Sequence, residues 1–194
     1  MKRSLLLSAF LALAACGERS GASDGTEAVA IQPAAPPARV AALQERQSSF
    51  TKLDDKSCGP EDVIEETGDW DRRCKGAGGY DLEWSSGDLR ENLDLIYAGK
   101  SVGLDIPARV AGGAFDSLGT TLEWRGPKGG APDVLITRVH VANAEGKNDS
   151  GRLAIVRLGD SPCIVAVVPP AAGQSDRARA IADGKLPDCL AAAD

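Results

Sequence analysis

The second half of the chain alternates apolar stretches with short breaks, and that alternation restricts its fold more than any other feature. The stretches "TTLEWRG", "VLITRVHVAN", "GRLAIVRLG" and "CIVAVVPP" are separated by "GPKGGAPD", "AEGKNDSG" and "GDSP". The breaks are rich in Gly, Pro, Asn, Asp and Ser, the residues that turns require. Connections this short join antiparallel neighbours, because a parallel pair needs a crossover of about a dozen residues or more. Val, Ile and Thr fit a pleated, half-buried surface. The region therefore reads as a four-stranded antiparallel meander. After it, "SDRARAIADG" reads as a helix, with Ser175 as its cap, Asp176 in its first turn and Gly184 as a left-handed stop. Its apolar stripe of Ala178, Ile181 and Ala182 is narrow.

The first half is less regular. "SSFTKLD" reads as a short strand, and "GPEDVIEETG" as a helix of one to two turns with Pro60 at its start and acids in its first turn. "GYDLEWS" sets Tyr80, Leu82 and Trp84 against Asp81, Glu83 and Ser85, the pattern of a half-buried strand. "DLRENLDLIYAG" fits both periods: Leu89, Leu93 and Ile96 suit a helix, and Leu93, Leu95 and Tyr97 suit a strand, which is preferred. The expected fold class is α+β: mostly antiparallel β with a C-terminal helix, in a single disulfide-stapled domain over residues 47–194.

Four cysteines provide the staples. Cys58, Cys74, Cys163 and Cys189 are an even set in a chain that looks exported, which reads as two disulfides. Pairing Cys58 with Cys74 and Cys163 with Cys189 brackets two compact segments, and closing loops of this size stabilises by about 3 kcal/mol each. Zinc is disfavoured, since no C-x-x-C pair is present and the sole histidine, His140, is remote in sequence.

Export is written at the N-terminus. Lys2 and Arg3 precede an apolar run from Leu5 to Leu13, and small residues stand directly before Cys16. The stretch Ser4 to Ala15 is shorter than the roughly 20 residues that span a bilayer as a helix. Leu13-Ala14-Ala15-Cys16 resembles the lipobox of bacterial lipoproteins. That resemblance implies removal of residues 1–15 and acylation of Cys16, with the membrane as a partner through the lipid anchor. Gly17, where some bacteria use aspartate for inner-membrane retention, implies the outer membrane and a periplasm-facing domain. Residues 16–46, with "QPAAPP" at 32–37, read as a flexible tether on the order of 30 Å end to end. Within it "ARVAALQER", 38–46, reads as a short frayed helix.

Charge narrows the partners. The formal net charge is −6, and it becomes −8 once Lys2 and Arg3 leave with the signal. An acidic chain whose only basic run, "DRRCK" at 71–75, is too short for a patch argues against nucleic acid and anionic lipid.

No catalytic pattern is complete. A Ser-His-Asp or Cys-His site would have to use His140, which alternation places beside Ile136 and Arg138 on one strand face, and no G-x-S-x-G elbow occurs. "AGKSVG", 98–103, ends like a phosphate loop, but Asp94 stands where the earlier glycine belongs, so it reads as a turn. Asp54, Asp55, Glu61, Asp62, Glu65, Glu66, Asp69 and Asp71 form an acidic tract without calcium-loop spacing or the aromatic groove of a glycosidase. No metal or cofactor is expected. Trp70, Trp84, Arg90 and Trp124 carry the residue chemistry of binding hot spots and are the candidate contact residues.

The ordered set "CKGAGGYDLEW…GDLR", "LEWRG", "ITR", "LAIVRLGDSPC" and "RARAIAD…C" resembles an uncharacterised family of exported bacterial proteins, over about residues 50–189. The resemblance implies no activity and no catalytic residue. One departure is Ile164, which follows Cys163 where the resemblance leads one to expect histidine. The expected function is a noncatalytic binding or interaction module, lipid-anchored in the cell envelope. Inhibition of a lysozyme is one version, by analogy of address and charge with a basic enzyme. The alternatives are an envelope or cell-wall hydrolase using acids within 54–71 or 81–94, and a structural or assembly lipoprotein.

Overall fold

The computed structural model describes residues 45–143, 145 and 148–191, and at 148–150 the main chain alone. The expected export signal, the acylated Cys16 and the tether as far as residue 44 lie outside the described residues. Ten strands and one α-helix follow among the described residues: β1 (Arg46–Lys52), β2 (Asp62–Val63), β3 (Trp70–Lys75), β4 (Asp81–Gly87), β5 (Arg90–Tyr97), β6 (Lys100–Gly103), β7 (Asp116–Pro127), β8 (Val134–Ala142), β9 (Asn148–Arg157), β10 (Cys163–Val168) and α1 (Gln174–Asp183). A single π-helical turn, Pro107–Ala111, joins β6 to β7.

The strands form two antiparallel five-stranded sheets. The meander read in the second half is β7-β8-β9-β10, and β1 adds to its β7 edge with Arg46 opposite Pro127 and Lys52 opposite Thr121. The other sheet has the order β2-β3-β4-β5-β6. Alternation assigns the faces. Leu82, Leu93 and Leu95 of the smaller sheet meet Leu122, Trp124, Leu135, Val139, Ala154, Val156 and Ile164 of the meander sheet in one core. Val134, Ile136, Leu153, Ile155, Val165 and Val168 point the other way and are covered by Ala178 and Ala182 of α1. The meander sheet is thus the middle layer of three and buried on both faces, which is why its strands read as continuous apolar runs. "DLRENLDLIYAG" is a strand, with Leu93 and Leu95 fully buried.

Both disulfides form as expected, Cys58–Cys74 and Cys163–Cys189. The first ties the connection between β1 and β2 to β3; the second ties the start of β10 to the C-terminal segment, whose Leu190 N–H donates to the Ile164 carbonyl.

Four expectations are corrected. The tether and the frayed helix read over 38–46 do not extend to Arg46, which begins β1; residues 38–44 lie outside the described residues. "GPEDVIEETG" is not helical; it holds the two-residue strand β2 and a turn. Its only large apolar residues, Val63 and Ile64, are both exposed, so a helix there would have no stripe to bury. Instead the Cys58–Cys74 bond, the Gly59 N–H to Arg73 carbonyl bond and the Arg72 guanidinium on the Gly59 carbonyl hold the chain extended. Ser175 does not cap α1; the N-cap lies two residues earlier, at Gly173 in the left-handed region. Gln174 fixes that start, because its buried amide donates to the Gly151 and Val168 carbonyls and accepts from Arg138. Gly184 is extended rather than left-handed (φ −89°, ψ −165°), since the chain must turn back toward β10 for the Cys189 bond.

Candidate functional site

The loops at one end of the two sheets converge on Tyr97. The β5–β6 hairpin turns through two residues, Ala98 and Gly99, both at positive φ, as a tight primed turn demands. It leaves the Tyr97 side chain 47 % exposed. Two concavities flank that ring. One, of about 260 Å³, is lined by Leu95, Tyr97, Ala98, Lys100, Val102, Gly159, Asp160 and Pro162. The other, of about 210 Å³, is lined by Gly78, Tyr80, Tyr97, Ala131, Pro132, Asp133, Leu158, Gly159 and Asp160. They share Tyr97, Gly159 and Asp160, so the site is one groove divided by a tyrosine ring.

Tyr97 is held from below. Its ring stacks on Tyr80 at 4.7 Å between centroids, and Tyr80 stacks in turn near Trp124 at 6.0 Å. The Tyr80 hydroxyl accepts the Gly159 N–H at 2.9 Å, which ties the column to the β9–β10 turn on the far wall. The Trp124 indole N–H donates to Thr51 Oγ1 at 2.8 Å, anchoring the column in β1. The close fit requires glycines. A Cβ on Gly76 would lie 2.9 Å from the Trp124 ring and 2.7 Å from the Tyr80 carbonyl, and one on Gly78 would lie 2.5 Å from the Pro132 ring. At the rim, Asp133 is held by Arg46, while Lys100 and Asp160 are exposed.

The four contact residues expected from sequence fall in different places. Trp124 is 1 % exposed and offers no surface; it is the buried base of the aromatic column. Trp70 and Trp84 meet edge to face, 4.9 Å apart, on β3 and β4, with the Arg72 guanidinium 5.9 Å from the Trp84 ring. The Trp84 N–H donates to Glu91 at 2.9 Å. Arg90 belongs to the opposite face of β5, where it donates to the Gly113 carbonyl, pairs with Asp88 and lies 5.1 Å from the Phe115 ring. The groove residues Tyr80 and Tyr97 were missed, although the signal existed: they are the only two tyrosines in the chain. Each stands at a strand end beside a glycine turn.

The acids have local work. Asp54 accepts the N–H groups of Lys56 and Ser57, Asp55 and Glu61 flank Arg72, and Asp69 accepts the Asp88 N–H. Asp81 and Glu83 pair with Lys75 and Arg73. Burial pushes the Asp94 carboxyl up, against the Asn92 amide that donates to it. Burial pushes Asp116 further, to about 6, with the Glu91 carboxylate adding to the rise. "AGKSVG" is a hairpin turn and the strand β6. His140 is half-buried on β8, opposite Ser117. Among the described residues no three His, Cys, Asp or Glu side chains gather in a metal-binding arrangement, and no helix is long and apolar enough to cross a membrane.

No protein-family model matches the chain, and comparison with curated proteins and with solved structures returns no match.

Proposed function

We propose that this chain is a noncatalytic binding module of the bacterial cell envelope, held to the membrane by an acylated Cys16 and binding its ligand in the Tyr97 groove. The observation that carries the reading is the aromatic column. It delivers a half-exposed ring, fixed by stacking and by the Tyr80–Gly159 hydrogen bond, between two concavities of mixed lining. A rigid aromatic at a loop cluster is ligand-binding chemistry, because area is buried on binding at little cost in side-chain entropy. The lipobox-like Leu13-Ala14-Ala15-Cys16 and the pair of disulfides support the envelope location. The family resemblance at residues 50–189 stays a proposal of the same kind and adds no activity.

The test places a photo-crosslinking amino acid at position 97 in living cells, with a control at Glu83 on the outer face of the smaller sheet. A discrete adduct from position 97, absent from position 83 and competed by excess unlabelled domain, is the expected result. Equal, diffuse labelling from both positions would reject the groove. In parallel, labelled palmitate should enter the wild-type chain and not Cys16→Ala; incorporation into both would reject the anchor.

A further inference from the structure

We infer that the ligand of the Tyr97 groove is an extended peptide that adds to β6 as a further strand; this rests on the binding-module reading above and specifies the partner class. β6 is an edge strand of the smaller sheet, paired only to β5. The two-residue hairpin makes Tyr97 and Lys100 a hydrogen-bonded pair, so the next pair, Ile96 and Ser101, is a non-bonded one. Ser101 therefore turns its N–H and C=O away from β5, toward the free edge. The opposing edge strand on the meander sheet, β10, is already covered: the chain's own C-terminal segment bonds to Ile164 and is stapled at Cys163. No described segment pairs along β6 in the same way.

Side-chain direction joins the edge to the groove. Lys100 and Val102 point to the inner face of β6 and line the 260 Å³ concavity with Leu95, Tyr97 and Pro162. An added strand continues that face, so alternate peptide side chains enter the groove. The residue opposite Val102 continues the inner row of Leu95 and Val102 and is large and apolar. The residue opposite Lys100 meets an exposed ammonium for which no ion-pair partner exists among the described residues, and is acidic. These two positions are two apart in any strand register. An acyl chain or other apolar small molecule satisfies the groove but leaves the Ser101 edge groups in water, which is why a peptide is preferred.

The experiment pans a displayed library of random heptapeptides on the full chain carrying Cys16→Ala, so that no detergent competes for the groove. Enriched peptides are synthesised with and without methylation of alternate backbone nitrogens, and decanoate serves as a non-peptide probe. Chemical shifts of Tyr97 and Val102 report the place of binding. The expected result is enrichment of peptides with a large apolar and an acidic residue two apart, and weakening of at least tenfold on methylating the amides that face Ser101. Lys100→Glu should exchange the acidic preference for a basic one, and Ser101→Pro should abolish binding while the β5–β6 pairs persist. Peptides that bind equally well when methylated, or decanoate binding with no peptide enriched, would overturn strand addition and leave the groove reading standing. Failure of both probes to move Tyr97 would overturn both readings.

Discussion

Asp116 gives the sharpest test of the energetics. It opens β7 where the two sheets join, and only 6 % of it is exposed. Its Oδ1 accepts the Glu91 N–H at 3.0 Å, while its Oδ2 is buried with no hydrogen-bond partner. Glu91 itself accepts from the Trp84 indole and the Leu118 N–H, both at 2.9 Å, so its carboxylate stays beside Asp116 and opposes a second negative charge. Burial is the larger cause and Glu91 the lesser; the Glu91 N–H and the Arg90 charge work in the other direction, and the carboxyl lies near 6 instead of 3.8. At 1.36 kcal/mol per unit, the ionised form costs the fold on the order of 3 kcal/mol.

The sign follows from proton uptake. The folded chain holds its proton to higher pH than the unfolded chain does, so this cost is absent below about pH 4 and grows as pH rises through 6. Asp116→Asn keeps the acceptor for the Glu91 N–H and removes the charge. Relative to wild type it should gain about 2–3 kcal/mol at pH 8 and close to nothing at pH 4. In melting temperature that is about 5–10 °C for a domain of this size. Urea titrations followed by tryptophan fluorescence, with disulfides intact, measure the difference at half-unit steps of pH. A difference that is flat in pH, or an Asn variant less stable at pH 8 than wild type, would show that Asp116 is not a buried acid working against the fold.

Three further outcomes are expected. Gly76→Ala should lose about 1–3 kcal/mol of stability in denaturant titration and shift the Tyr97 resonances, because its methyl cannot fit beside the Trp124 ring; unchanged spectra would dissolve the column argument. Thr137→Val should stabilise by about 1 kcal/mol, since the Thr137 hydroxyl is buried without a hydrogen-bond partner and Val fills the same volume; a loss of stability would mean that the hydroxyl is satisfied. Asp183→Asn should cost about 1 kcal/mol at pH 7, since Asp183 accepts a hydrogen bond from Arg125 at 2.6 Å, forms an ion pair with Arg46 at 3.0 Å, and so ties α1 to β7 and β1. The Arg125 hydrogen bonds hold the Asp183 carboxyl below its usual value, so this stability is present above pH 4 and lost as pH falls further; the cost of the Asn variant should shrink steadily below pH 4 by calorimetry.

The sequence was most legible where local chemistry and tertiary packing agree. The meander was readable because the middle layer is buried on both faces, so Val134 to Ile136 and Leu153 to Val156 carry apolar side chains without interruption. Disulfide pairing was readable because the chain returns on itself locally in both loops. The misread elements share a physical cause, a long-range contact invisible in a short window. "GPEDVIEETG" has helical end signals, yet Arg72 and Cys74 hold the start of that segment along β3. Ser175 has cap chemistry, yet the Gln174 amide bonds to Gly151 and Val168 and the cap falls two residues earlier, at Gly173. Among the candidate contact residues, type alone ranked Trp124 with Trp70 and Trp84. Only the facing sheet reveals that Trp124 is buried, and nothing local to Tyr97 announces that Tyr80 will lie under it.

The proposed groove belongs to a fold poor in aromatics. The chain has three Trp, two Tyr and three Phe. Three of those eight are committed to one column, from Trp124 at the core through Tyr80 to Tyr97 at the rim. The column crosses from the meander sheet to the smaller sheet, and its two hydrogen bonds, Trp124 to Thr51 and Gly159 to Tyr80, bind it to β1 and to the β9–β10 turn. Loosening either sheet therefore tilts Tyr97. On the proposed reading, a ring fixed in this way would lose little freedom on binding, and a shallow groove would gain affinity by pre-organisation that its volume alone would not supply. If the groove binds as proposed, Trp124→Phe, which keeps the ring stack and removes the Thr51 hydrogen bond, should weaken the peptide enriched on the wild-type chain by misplacing Tyr97 before it unfolds the domain.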